Sequence, residues 1–115
     1  EGSLEEVSEI SEEIEKKNVK ATKRRLAQDW GKIKSVLSGS SGGLHPGHAP
    51  FLIKNLGKDI VIQAGGGIHG HPNGTFRGAI AMRQAVDATM RGISLKEYSK
   101  KHIELRDALE FWKKK

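Results

Sequence analysis

The sequence predicts an α/β fold in which parallel strands are joined by crossover helices, and three observations carry that reading. Helix-like and strand-like segments follow in the order helix, strand, helix, strand, helix, helix, the alternation that parallel crossovers require. The strand-like run Ile60-Val61-Ile62 is β-branched throughout and lacks polar alternation, as expected of a strand buried on both faces of a parallel sheet. Each strand-like segment also runs directly into a glycine-rich turn, Gly39-Ser40-Ser41-Gly42-Gly43 or Gly65-Gly66-Gly67.

Taken in order, Ser3-Leu4-Glu5-Glu6 has capping-box spacing. Leu4, Val7, Ile10 and Ile14 recur at steps of three and four, which predicts an amphipathic helix from residue 4 to about 17. Residues 18–31 are basic and irregular and read as a loop with a helical turn. Ile33 to Ser38 reads as a strand entering the first glycine turn. Pro46 to Leu56 reads as a helix with proline in its first turn and Gly57 as its stop. After the second strand and a loop through Pro72-Asn73-Gly74, the positions Ala79, Met82, Val86, Met90 and Ile93 mark a helix ended by Gly92. Ser94-Leu95-Lys96-Glu97 is a second capping box, opening a single last helix striped by Tyr98, His102, Leu105, Leu109 and Trp112. Two strands alone would leave outer edges and apolar side chains uncovered, so the chain is expected to be part of a larger sheet.

Composition narrows the function. The 115 residues suit one compact unit, with 36% hydrophobic and 5% aromatic content predicting a thin aliphatic core. The absence of cysteine excludes disulfides, zinc-thiolate sites and thiol nucleophiles, and fits a reducing cytoplasm. No apolar run approaches the ~20 residues of a membrane span, and the start, Glu1-Gly2-Ser3, lacks both a signal-peptide pattern and an initiator methionine. The net charge of +6 is uneven: residues 1–15 carry seven glutamates and no base, and residues 16–34 carry eight Lys or Arg against Asp29. Such blocks usually form solvated faces or tails. A nucleic-acid surface there would lack interleaved aromatic platforms.

The chemistry lies in the two glycine turns. In parallel β/α proteins ligands sit beyond the C-terminal strand ends, and both turns fall at such ends, one βα repeat apart. Glycine lets the backbone approach an anion and turn its N–H groups inward, and Ser41 adds a hydroxyl. A phosphate ester is the expected ligand. Gly65, Gly67 and Gly70 also spell the dinucleotide pattern G-x-G-x-x-G, but we expect no helix to start within it, and no acid stands at a following strand end. His45, His48, His69 and His71 flank proline-bearing turns without accompanying carboxylates, and are expected to bond backbone groups rather than a metal. His102 reads as a packed residue, and Trp30 and Trp112 as packing anchors. The glutamates of the first helix are expected on its solvent side. No acid–base pair stands out.

Two strings are specific enough to name a likeness. Ser40-Ser41-Gly42-Gly43-Leu44-His45-Pro46-Gly47-His48, followed by Asp59-Ile60-Val61-Ile62-Gln63-Ala64-Gly65-Gly66-Gly67-Ile68-His69-Gly70-His71-Pro72, closely resembles the large subunit of ribulose-1,5-bisphosphate carboxylase (RuBisCO), in its archaeal form (form III). The likeness extends to Gln28-Asp29-Trp30, to Met82-Arg83-Gln84-Ala85 and to Gly92 through Trp112, and is loosest over residues 3–27. It implies that residues 1–115 are the C-terminal portion of a (β/α)8 TIM barrel, comprising helix 6, strand 7, helix 7, strand 8, helix 8 and the C-terminal helix. It further implies that Ser41, Gly42 and Gly43, with Gly65 and Gly66, bind the phosphates of ribulose 1,5-bisphosphate, and that Gln63 and Ala64 line the approach. Ser35 stands where the family commonly has proline, and Gly39-Ser40 replaces a more apolar strand end.

In such an enzyme Mg²⁺, held by a carbamylated lysine, an Asp and a Glu, stabilises an enediolate that attacks CO₂. The resemblance implies that these ligands come from earlier strands, that a mobile lysine lies just before Glu1, and that a second large subunit completes the site. The fragment alone is then expected to be inactive. Two alternatives remain open at this point: a RuBisCO-like enolase or isomerase fragment, and a non-enzymatic module binding nucleic acid or protein through residues 16–34.

Overall fold

The computed structural model describes residues 3–114. Its first element, α1 (Leu4–Glu15), starts where the capping signal puts it, with the Glu6 N–H donating to Ser3 Oγ at 3.3 Å. The basic segment that follows is not a loop with a helical turn. It forms an antiparallel ribbon of β1 (Asn18–Val19) and β2 (Gln28–Asp29), in register Asn18↔Asp29 and Val19↔Gln28. The cause is electrostatic. The Arg25 guanidinium, its side chain only 9% exposed, donates to the Glu9 carbonyl at 3.0 Å and to Glu12 Oε2 at 2.7 Å, while its Nε donates to the Lys20 carbonyl. Trp30 Nε1 donates to the Glu13 carbonyl at 2.8 Å, and Arg24 pairs with Glu5. The acidic helix thus folds the basic ribbon onto itself, and its carboxylates are not simply a solvated face. The hydrogen bond from Arg25, followed by that from Lys16, holds the Glu12 carboxyl below the usual carboxylate range.

A second difference concerns the first parallel strand, which is β3 (Ser38–Ser40) rather than residues 33–38. Strand identity here is set by the partner. The β4 strand (Ile60–Ile62) pairs in parallel as Ser38↔Ile60, Gly39↔Val61 and Ser40↔Ile62, and the Gln63 N–H extends the ladder to the Ser40 carbonyl at 2.9 Å. Upstream, Val36 bonds instead to the Ile14 carbonyl of α1. The Ser-Gly-Ser strand is anchored by Ser38, whose Oγ donates to Glu15 Oε1 at 2.6 Å.

Between the strands runs the crossover, a 3₁₀ turn over Pro46–His48 and then α2 (Ala49–Leu56), stopped by Gly57. Beyond β4 come a single-turn helix α3 (Gly66–His69) and the long α4 (Thr75–Met90). Contrary to expectation, α3 starts inside the glycine run, although the Pro72-Asn73-Gly74 turn still separates it from α4. The expected single last helix is two, α5 (Leu95–Tyr98) and α6 (Ile103–Lys113), joined by a 3₁₀ turn. His102 makes the break. Its ring stacks on Tyr98 at 3.8 Å and its Nδ1 donates to the Tyr98 carbonyl at 2.7 Å, the acceptor its own N–H would need in a continuous helix. That N–H bonds to the Ser99 carbonyl instead.

Helices α2, α4, α5 and α6 enclose the core. Ala49, Ala85 and Leu105 lie at its centre, with Val86, Leu95, Tyr98 and Leu109 packed around them. The β3–β4 pair sits at the edge of this layer, with Val61 45% exposed, and the apolar stripe of α1 is open, with Ile10 53% exposed. Burial of β4 on both faces is therefore not achieved within this chain. The radius of gyration is 16.4 Å, whereas a compact chain of about 100 residues would have about 13 Å. No helix among the described residues is long and apolar enough to cross a membrane. Leu105, with no exposed surface, is the largest apolar side chain in the core, so Leu105→Ala should cost about 2–5 kcal/mol in chemical denaturation of the chain; a loss of only a few tenths would show that these helices do not pack as described.

Candidate functional site

Each strand of the parallel pair ends in one of the glycine turns, so the ladder delivers both to the same side of the sheet. Leaving β3, Ser41 is exposed, and Gly42 and Gly43 take left-handed conformations with φ of 95° and 63°. Side chains disfavour that region, so the reversal needs glycine at both positions. A cavity of about 370 Å³ opens beside this turn, lined by Ser40, Ser41 and Gly42 together with Leu4 and Val7 of α1 and Phe51 of α2.

Leaving β4, the exposed Gln63 and half-buried Ala64 lead to Gly65 and Gly66. A Cβ at Gly43, Gly65 or Gly66 would meet no other atom within 4 Å, so these backbones border open space. Gly67 is different: a Cβ there would lie 1.9 Å from the Leu44 carbonyl oxygen and 2.7 Å from His45 Cα. The second turn therefore lies backbone to backbone against the exit of the first, and the sequence signal for this was the third glycine of the run.

The hydrogen-bond pattern leaves donors over. The carbonyls of Gly65 and Gly66 accept from Ile68, His69 and Gly70, closing the single turn of α3. Among the described residues, the N–H groups of Ser41, Gly42, Gly43, Gly65, Gly66 and Gly67, and the Ser41 hydroxyl, have no hydrogen-bond partner. Backbone donors left without partners at two adjoining turns are suited to an anion. All seven residues named from the sequence as the site are in this region. The turns come together, whereas Gln63 and Ala64 line the step from strand to turn.

Of the four loop histidines, His45, His48 and His71 bond backbone groups as expected, whereas His69 bonds a side chain. His45 Nδ1 accepts from the Gly47 N–H and His48 Nδ1 from the His45 N–H, both at 3.2 Å, so the two rings cap the Pro46–His48 turn reciprocally. His45 stacks on Trp112, and burial, then the nearby His48, lowers its pKa below the usual histidine value. His71 is 4% exposed, and its Nε2 donates to the Glu104 carbonyl at 2.9 Å while its Nδ1 accepts from the Asn73 N–H at 3.1 Å. His69 Nδ1 lies 3.0 Å from Thr75 Oγ1. Among the described residues no group of three His, Asp or Glu side chains is gathered to hold a metal ion.

Comparison with known proteins places this arrangement. Residues 3–112 match the family model "Ribulose bisphosphate carboxylase large chain, catalytic domain". The ribulose bisphosphate carboxylase of Methanocaldococcus jannaschii is 48% identical over 98% of this chain and 27% of its own length. That of Thermococcus kodakarensis is 55% identical over 76% of this chain and 20% of its own. Among solved structures, a dimeric archaeal Rubisco from Hyperthermus butylicus superposes with a TM-score of 0.89 at 45% identity, covering 97% of this chain and 27% of that one. A rubisco-like protein from Alicyclobacillus acidocaldarius covers 71% of this chain and 21% of that one, with a TM-score of 0.68 at 45% identity. The chain thus spans about a quarter of the length of the relatives that match nearly all of it.

The contact at Gly67 is testable in the chain itself. Gly67→Ala should destabilise by about 1–3 kcal/mol, since neither backbone can yield freely, and should speed amide exchange at His45 as well as at residues 68–70, whose N–H groups are bonded. Protection unchanged at His45 would show that the two turns are not joined there.

Proposed function

The chain belongs to the ribulose bisphosphate carboxylase large-chain family, as part of the (β/α)8 barrel of such a subunit, and on that premise we propose that residues 1–115 are the C-terminal portion of its catalytic barrel domain and supply phosphate-binding turns for ribulose 1,5-bisphosphate. The observation that supports this reading is that Ser41-Gly42-Gly43 and Gly65-Gly66, whose N–H groups have no hydrogen-bond partner among the described residues, follow two paired strands whose turns touch at Gly67. Barrels of this class commonly bind phosphate after their seventh and eighth strands, which are β3 and β4 in this assignment. Charge-assisted bonds from backbone amides are strong and need no titrating group, and Gln63 and Ala64 would line the way in.

The complete enzyme would fix CO₂ in the cytoplasm with Mg²⁺. The residues described here do not fit that ion, for want of a carboxylate cluster, so its ligands would come from outside this chain. The open faces of α1 and β4 are where the remaining barrel would pack, and a second large subunit would complete the assembly, as in the dimeric and octameric relatives. The rubisco-like alternative matches less of the chain and superposes less closely. Against the nucleic-acid module stand the ion pairs of Lys16, Arg24 and Arg25 with glutamates of α1.

In the complete subunit, Gly66→Val should weaken ribulose 1,5-bisphosphate binding by about 10- to 100-fold, the worth of one lost charge-assisted bond; unchanged affinity would reduce the run to a mere turn. The 115-residue chain alone should show no Mg²⁺-dependent CO₂ fixation, and turnover without the missing portion would overturn the fragment reading.

A further inference from the structure

The second glycine turn is held from behind by a polar knot in which one buried side chain is central. His71 lies two residues beyond the end of α3, and its own N–H donates to the Ile68 carbonyl while its carbonyl accepts from the Gly74 N–H. Its ring uses both nitrogens: Nδ1 accepts from the Asn73 N–H, and Nε2 donates to the main-chain carbonyl of Glu104 in the first turn of α6. This pattern fixes the neutral ring with its proton on Nε2.

The other end of the link is equally constrained. The Glu104 carboxylate accepts from Arg77 Nη1 at 2.6 Å and from Gln84 Nε2 at 2.9 Å, both on α4, and the same Gln84 amide accepts from the Leu105 N–H at 3.0 Å. The Gln84 bond, with help from Arg77, holds the Glu104 carboxyl below its usual range, so it stays charged and gripped at neutral pH. On the near side, Gly78 of α4 lies so close that a Cβ there would be 2.0 Å from the Ile68 carbonyl oxygen and 3.0 Å from His71 Cβ. Helices α4 and α6 are thus joined into one backing, and His71 ties the segment after α3 to the α6 half of it, alongside the Asn73–Asp107 bond and Trp112 packed at Gly70.

We infer that His71 is a positioning residue for the anion site, fixing through Glu104 where the Gly65 and Gly66 amides point. This rests on the phosphate reading above. The ring is buried behind the turn and acts through the turn's backbone. Amides bind an anion well only when preorganised, and a buried hydrogen bond is an effective way to hold a short turn against its scaffold.

The test uses the complete large subunit and three variants. His71→Asn keeps an acceptor near the Asn73 N–H but cannot reach Glu104, whereas His71→Gln can place a donor where Nε2 lies. Losing one buried bond should weaken ribulose 1,5-bisphosphate binding by about tenfold in His71→Asn, with faster amide exchange at residues 68–70, whose N–H groups are bonded, but not at residues 80–90 in α4. His71→Gln should recover both. Unchanged affinity in His71→Asn, alongside weakened binding in Gly66→Val, would overturn the role of His71 and leave the phosphate site standing. Unchanged affinity in both variants would remove the phosphate site and this inference with it. Should His71→Asn fail to fold, His71→Gln decides: wild-type affinity supports the role, and a folded protein with tenfold weaker binding contradicts it.

Discussion

The close approach of Gly67 to the Leu44 carbonyl and His45 Cα governs the site. Parallel pairing of β3 with β4 brings two strand ends level, but pairing alone leaves the turns beyond them free to diverge. Because position 67 carries no side chain, the second turn can lie directly against the first. The N–H groups of Gly65 and Gly66, like those of Ser41, Gly42 and Gly43, have no hydrogen-bond partner among the described residues. Positive φ at Gly42 and Gly43 turns the first chain back in time to make that contact. The turns are thus parts of one unit, and the helices behind them serve as its support.

That support is divided between two kinds of interaction. Behind the second turn, α2, α4, α5 and α6 pack through alanines around Leu105, and the Arg77–Glu104–Gln84 group spans α4 and α6. Ahead of the first turn, order is polar: α1 and the segment of the ribbon join through Arg24, Arg25 and Trp30. The two opposite charge blocks in the sequence are therefore one structural device. What neither kind of interaction covers is the apolar stripe of α1 and the outer side of β4, which are the surfaces a larger barrel would use.

Much of this was legible in the residues. The Ser3 and Ser94 caps, the stops at Gly57 and Gly92, the strand Ile60–Ile62 and the placing of both glycine turns follow from local chemistry, and local chemistry does not depend on context. The misread segments depend on partners distant in sequence. Ser38-Gly39-Ser40 has no strand propensity and is a strand only because β4 pairs with it. The ribbon at residues 18–29 exists because Arg25 reaches back to Glu9 and Glu12. The last helix breaks because the His102 ring takes a carbonyl from its own helix, which an apolar stripe cannot reveal. The third glycine of the second run is plain in the sequence, but only three-dimensional packing shows that it serves contact.

A crystal structure of the complete large subunit with ribulose 1,5-bisphosphate bound measures the convergence of the two turns directly. The account predicts one phosphate group within hydrogen-bonding distance of amides from both residues 41–43 and residues 65–66, with the backbones of Gly67 and Leu44 still in contact. Density placing the phosphates on one turn only, or on neither, would contradict it.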